Sequence, residues 1–212
     1  MTGASLRRRD DGAIELRVDG VFVMDDLETT SERLLARLAI DEGAREVLVG
    51  GLGLGFTARE LLADPAIERV VVAELHGEIV EWMRGGAIDG ADLLADPRLD
   101  VVVDDVREVV TRQPPESLDA IVLDVDNGPD FLVHAGNEAV YGAEFVAECA
   151  LRLRPSGRLC IWSMADSAPL RSVLAEHFGA VEAIPVDVRL QDRDEHYWIL
   201  TASRSDGAPA GP

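Results

Sequence analysis

Four groups of residues in this 212-residue chain combine types and spacing that could hold a nucleotide-like ligand and react it. The first is Val47-Leu48-Val49-Gly50-Gly51-Leu52-Gly53-Leu54-Gly55-Phe56-Thr57-Ala58-Arg59-Glu60, an apolar run that breaks into glycines and reopens as a helix. Glycine at Gly51, Gly53 and Gly55 permits positive φ and close approach of a ligand to the backbone. The N–H groups opening the next helix add partial positive charge. The second is Glu74, which ends the apolar run Val70-Val71-Val72-Ala73. It follows the loop by about twenty residues, the separation at which a Rossmann-like site places the acid that accepts from ribose hydroxyls. The third is Asp104-Asp105, and the fourth is Asp124 with Asp126; each closes a further apolar run. Acids that end successive strands of a parallel sheet converge on one rim, where the ligand lies. Their order reads as an adenosine clamp, with the loop beneath, Glu74 on ribose, Asp105 at the adenine amino group and Asp124 nearest the reacting centre.

The elements that must position these groups alternate in βα fashion from Glu46 onward. Apolar runs predict strands at 46–50, 69–73, 99–103, 119–124 and 157–163, with helices near 56–63, 77–86, 105–111 and 138–153. Pro97, Pro114, Pro115 and Pro155 punctuate the connections. Upstream, two alternating segments flank Asp19-Gly20 within residues 13–25, which predicts a hairpin. An isolated hairpin is marginal, so it must lean on the main domain or on another subunit, and an oligomer is expected. Thr29-Thr30-Ser31-Glu32 supplies a cap before a helix with leucines at helical spacing. After Trp162 a helix near 167–178 precedes two strand-like runs, Val181–Leu190 and His196–Ser203, which predict an antiparallel end to the sheet. The tail from Ser205 is rich in Gly and Pro and reads as disordered.

Composition narrows the chemistry. The net charge of −20 disfavours nucleic acid, whose phosphates would be repelled, and suits a neutral or cationic small substrate. All twenty basic residues are arginine. Without lysine, a Walker-type phosphate loop, a Schiff base and pyridoxal chemistry each lose a required group. Cys149 and Cys160 lack metal or redox spacing and read as buried thiols, and His76, His134, His177 and His196 share no metal spacing, so no metal is expected. No apolar stretch approaches a membrane span and the N-terminus lacks a secretory apolar region, which predicts a cytoplasmic protein with no membrane partner.

The chain resembles the class I S-adenosylmethionine-dependent transferases and, within that fold, the spermidine synthases (polyamine aminopropyltransferases) and their bacterial spermidine-synthase-like relatives. The resemblance spans roughly residues 13 to 203. It rests on the hairpin, on Glu28-Thr29-Thr30-Ser31-Glu32-Arg33-Leu34, on the loop ending in Arg59-Glu60, and on Asp124-Val125-Asp126-Asn127-Gly128-Pro129 before Tyr141. It implies an α/β, Rossmann-like class I methyltransferase fold: a mostly parallel seven-stranded sheet with an antiparallel C-terminal strand, preceded by a short N-terminal β-hairpin. Residues 1–28 would form the tail and hairpin, 29–204 the transferase domain and 205–212 a disordered tail.

Carried over by position, the resemblance implies that Gly51, Gly53, Gly55, Glu74, Leu75, Asp104, Asp105, Val106 and Asp124 hold S-adenosylmethionine or its decarboxylated form as co-substrate. Asp124, Asp126 and Tyr141 would serve catalysis, Asp124 matching the first acid of the family's Asp-Ser-Ser-Asp-Pro loop. A protonated amine is no nucleophile, and a nearby carboxylate can orient it and receive its proton. His134 and Tyr141 lie in the loop that would cover the substrate. The chain departs from the aminopropyltransferases at Leu52 and Leu54, where they carry an Asp in the glycine loop, at Thr30-Ser31, where they carry Tyr-Gln, and at Trp162, where they carry Gln. Three functions therefore stand open: alkyl (aminopropyl) transfer to a small amine, methyl transfer to a small molecule, and nucleoside binding by a catalytically degenerate regulator. A homodimer is expected.

Overall fold

The computed structural model describes residues 3–40, 43–125, 127–132, 135–190 and 193–204. Its main body is a seven-stranded sheet built by the βα alternation: β4 (Glu46–Gly50), β5 (Arg69–Glu74), β6 (Leu99–Val103), β7 (Leu118–Leu123), β8 (Leu153–Ser163), β9 (Ala180–Leu190) and β10 (Arg193–Ser203). The order across the sheet is β6-β5-β4-β7-β8-β10-β9, and β10 alone runs antiparallel to its neighbours. The chain order reverses between β4 and β7, so the rim at the carboxyl ends of β4, β5, β6 and β7 is a topological switch point.

Period-two alternation sends residues of each central strand into two cores. Val47, Val49, Val70, Val72, Ala120 and Val122 face one side, which helices α1 (Thr30–Ile40), α2 (Phe56–Leu62) and α3 (Gly77–Gly85) help to cover. Leu48, Val71, Ala73, Ile121 and Leu123 face the other, with α5 (Val106–Thr111), α6 (Ala143–Arg152) and α7 (Ala168–His177). Such strands, buried on both faces, read as the continuous apolar runs seen in the sequence. A short helix α4 (Ala91–Leu94) precedes β6; four residues are too few to show a helical period.

The N-terminal hairpin is a three-stranded antiparallel sheet, β1 (Ala4–Arg8), β2 (Ile14–Val18) and β3 (Val21–Asp25). Asp19 and Gly20 both adopt positive φ and join Val18 to Val21, the two-residue turn expected of Asp-Gly. The added strand β1 lies in the segment read as a tail. Its arginines mask an alternation in which Ala4 and Leu6 pack against the first core, Leu6 in register with Leu16. The sheet leans on the main body, where Glu78 Oε1 of α3 accepts the Ala4 N–H at 2.9 Å.

The predicted helix 138–153 divides into a 3₁₀ helix, Ala135–Tyr141, and α6. Gly142, with extended backbone, separates them and caps α6. Strand β8 begins at Leu153, before Pro155, because its pairing with β7 jumps from Leu118↔Leu153 to Ala120↔Arg158 and leaves the proline in a bulge. The tail from Ser205 lies outside the described residues.

Candidate active site

The rim of β4, β5, β6 and β7 opens into a cleft of about 770 Å³, part of it open to solvent. Gly51 and Gly53, Glu74 and Leu75, Asp104, Asp105 and Val106, and Asp124 all line it. Each follows the carboxyl end of a parallel strand, so the sheet brings together what the sequence spaces over seventy residues. Gly55 stands one step back as the N-cap of α2, at φ 87°.

Glu74 ends β5 and is buried. Its two carboxylate oxygens accept the backbone N–H groups of Leu52 (2.8 Å) and His76 (2.7 Å), which ties the glycine loop to β5. Burial raises its pKa, and those two hydrogen bonds oppose the rise. Leu52 and Leu54 turn away into the first core, so at these positions the loop carries anchors. Asp105 caps α5, accepting the Arg107 N–H at 2.9 Å, and its carboxylate is also gripped by the Arg107 guanidinium at 2.6 Å. Arg112 beside Asp104 holds that carboxyl below the usual carboxylate range. Leu75 is 48% exposed although apolar, and with Val106 it offers the cleft an apolar wall.

Asp124 follows β7 deep in the cleft floor, where its carboxylate accepts the Thr57 hydroxyl at 3.1 Å. Burial pushes its pKa up to about 6, against the pull of the Thr57 bond. The Thr57 hydroxyl also meets, at 3.5 Å, the main-chain carbonyl of Glu32 in the first turn of α1, whose side chain is only 8% exposed and accepts the Ser31 hydroxyl at 2.8 Å. Burial first, and then the charge of Asp124, push Glu32 to about 7. Among the described residues no arginine or histidine pairs with either carboxylate.

Asp126 and His134 lie outside the described residues. Tyr141 ends the 3₁₀ helix buried in the second core with Phe145 and is not among the cleft's lining residues. Trp162 likewise packs into the first core, tilted 57° against Tyr197 at a ring separation of 4.8 Å. The cleft also gains residues that sequence reasoning passed over: Leu16, Val18 and Val23 from the N-terminal sheet, His76, Asn127 and Asn137. Asn137 Nδ2 reaches the Val125 carbonyl at 3.4 Å. Glu32 carried a legible signal, since it sits three, four and seven residues before the buried Leu35, Ala36 and Ala39, on the apolar face of its helix.

The lining combines the buried Glu74 carboxylate, the apolar side chains of Leu75 and Val106, and the half-buried Asp124 carboxyl.

The family model described as Methyltransferase small domain matches residues 15–191. The polyamine aminopropyltransferase of Mycobacterium tuberculosis (strain H37Rv) is 37% identical over 160 residues, 73% of this chain and 29% of that protein. Polyamine aminopropyltransferase 2 of Pseudomonas aeruginosa is 33% identical over 172 residues, 71% of this chain and 45% of that protein. The chain thus spans less than half the length of either relative. A crystal structure of spermidine synthase in complex with the transition-state analogue AdoDATO superposes with a TM-score of 0.80 at 17% identity, covering 95% of this chain and 70% of that one. With the strand order and the rim of glycines and acids, these matches show that the chain belongs to the methyltransferase small domain family, as a spermidine synthase-like member of the class I methyltransferase fold.

Proposed function

We propose that the protein is a transferase that binds S-adenosylmethionine or its decarboxylated form and moves an alkyl group, aminopropyl in the favoured reading, to a small amine. The observation that carries this reading is Asp124, a half-buried carboxyl that lines the cleft and whose proton affinity is raised toward neutrality. A carboxylate of ordinary pKa is a weak base toward an alkylammonium ion, and one raised to about 6 is better matched to it. In this reading Glu74 accepts from the ribose, Leu75 and Val106 hold the base, and Asp105 takes the adenine amino group through its remaining lone pairs. A bound sulfonium donor supplies an electrophilic carbon and a thioether leaving group. The protein contributes alignment and removes the acceptor's proton. Asp126 belongs to the proposal as a catalytic candidate, and Tyr141, buried in the second core off the cleft, as a positioning residue.

Methyl transfer is a second reading, favoured by one observation: Leu52 and Leu54 face the core, so no loop carboxylate meets the donor's amino group. Calorimetric titration with S-adenosylmethionine, the decarboxylated donor and the two product thioethers separates the readings. Tighter binding of the decarboxylated pair supports aminopropyl transfer, tighter binding of the carboxylated pair supports methyl transfer, and binding of neither overturns both. Asp124→Asn is expected to lower turnover about 10²–10⁴-fold while thioether affinity stays within about threefold; near-full turnover would remove Asp124 from catalysis. The proposal includes a homodimer, supported by exposed Val21 and Leu27 at the N-terminal sheet, and a cytoplasmic location, supported by free thiols at Cys149 and Cys160.

A further inference from the structure

A carboxylate that takes a proton from a substrate nitrogen must be held in one orientation, because a small displacement of a reacting group costs much of its effect. The main chain of Asp124 is fixed: its N–H donates to the Gly50 carbonyl at 2.8 Å, and Gly51 lies close against its carbonyl. Its side chain is held by one residue. Thr57, 3% exposed in the first turn of α2, donates its hydroxyl to Asp124 Oδ2 at 3.1 Å. With one hydrogen to give, it favours the nearer, ionisable acceptor over the Glu32 carbonyl at 3.5 Å. Gly55, the left-handed cap at φ 87°, turns the glycine loop into α2 two residues earlier. Among the described residues no other donor reaches the Asp124 carboxylate, which leaves Oδ1 for a substrate. Charged groups on the surrounding elements are engaged elsewhere. Glu60 of α2 takes Arg33 and Arg37, Arg59 of α2 turns to Asp92, and Glu74 of β5 takes the Leu52 and His76 N–H groups. Asp104 is held by Arg112, Asp105 by Arg107, and Glu32 of α1 by the Ser31 hydroxyl.

We propose that Thr57 is a positioning residue for the transfer: its hydroxyl holds Oδ2 of Asp124 so that Oδ1 faces the acceptor nitrogen. This rests on the amine-transfer reading. The acceptor arrives as an alkylammonium ion and gives one proton to Oδ1, freeing its lone pair. That lone pair forms the N–C bond as the C–S bond breaks, the bonding electrons passing to sulfur. A secondary ammonium ion and a neutral thioether result, and Asp124 releases the proton it took to solvent, so charge and protons balance. The Thr57 bond also favours the carboxylate over the carboxylic acid, which keeps the base ready between turnovers. Thr57 does not line the cleft and acts only through Asp124.

Steady-state assays of the full chain with either donor and 1,4-diaminobutane as the amine probe test this role, alongside calorimetry with the product thioethers. Thr57→Val keeps the shape and removes the hydroxyl. It is expected to lower kcat at pH 8 about five- to fiftyfold while thioether affinity stays within about threefold, which shows the cleft intact. The acid limb of the kcat profile should move up by about half to one pH unit, because the carboxylate loses the bond that favoured it. Thr57→Ser, which returns the hydroxyl, should restore most of kcat and the position of the limb. Wild-type kcat with an unmoved limb in Thr57→Val, or failure of Thr57→Ser to restore them, overturns the role of Thr57 and leaves the amine-transfer reading standing. A wild-type chain that alkylates no amine from either donor overturns that reading and the role of Thr57 with it.

Discussion

At Gly51 the backbone sits at φ +94°, and a Cβ there would lie 2.1 Å from the carbonyl oxygen of Asp124. The glycine therefore does two things: it turns the loop, and it lets the ends of β4 and β7 approach closely enough for Asp124 to share the cleft floor with the loop. Gly51→Ala should cost about 2–4 kcal/mol in urea denaturation, from left-handed strain together with overpacking against backbone that cannot yield. A loss under about 0.5 kcal/mol would show that the loop relaxes freely. The same closeness explains which residues the sequence exposes. Glu74 and Asp124 stand at the ends of apolar runs and are visible by position. Glu32 is hidden in a helix whose opening reads as a cap, and only its place on the buried face betrays it.

At the scale of elements, the N-terminal sheet is part of the site. Leu16 of β2 is 1% exposed, belongs to the first core and lines the cleft with Val18 and Val23. Met24 of β3 accepts the Leu54 N–H at 3.3 Å, so the sheet also braces the glycine loop. A short antiparallel sheet with one apolar face is stable only when that face is covered, and here the rim of the larger sheet covers it. Leu16→Ala should lower stability by about 2–5 kcal/mol. It should also weaken thioether binding by about threefold or more, because a displaced roof misplaces the groups below it. Denaturation and calorimetry on the same variant check both effects, and a stability loss with unchanged affinity would reduce the sheet to a scaffold.

Across the whole molecule the raised and lowered carboxyls act in separate pH windows. Glu32 and Asp124 hold protons in the fold up to about 7 and about 6, whereas in the unfolded chain they release them near about 4. The folded chain thus binds more protons through this interval, and stability from this source, complete below about pH 4, is lost as pH rises through about 6 to 7. Carboxyls lowered by arginine, such as Glu60 by Arg37 and Arg33, and Asp119 by Arg154, work oppositely and lose their contribution only in acid. The urea midpoint should therefore fall between pH 5 and pH 7.5, and the fall should flatten in the Glu32→Gln, Asp124→Asn double variant. An unaltered slope in that variant would assign the pH dependence to other groups.

Local pattern alone determined the βα alternation, the two-faced strands, the Asp19-Gly20 turn and the rim acids Glu74, Asp104, Asp105 and Asp124, because each is a matter of period, turn chemistry or position at a strand end. Only the tertiary structure decided that β1 exists, since its two inward residues acquire meaning when Leu16 and the core lie beneath them. It likewise decided that Tyr141 and Trp162 pack inward, and that Leu52 and Leu54 anchor the loop. The main-chain carbonyl of Glu32 and the carboxylate of Asp124, ninety-two positions apart in the sequence, meet at the Thr57 hydroxyl because α1 packs against α2 and β7. No spacing rule encodes that contact, which depends on where two separately legible elements meet.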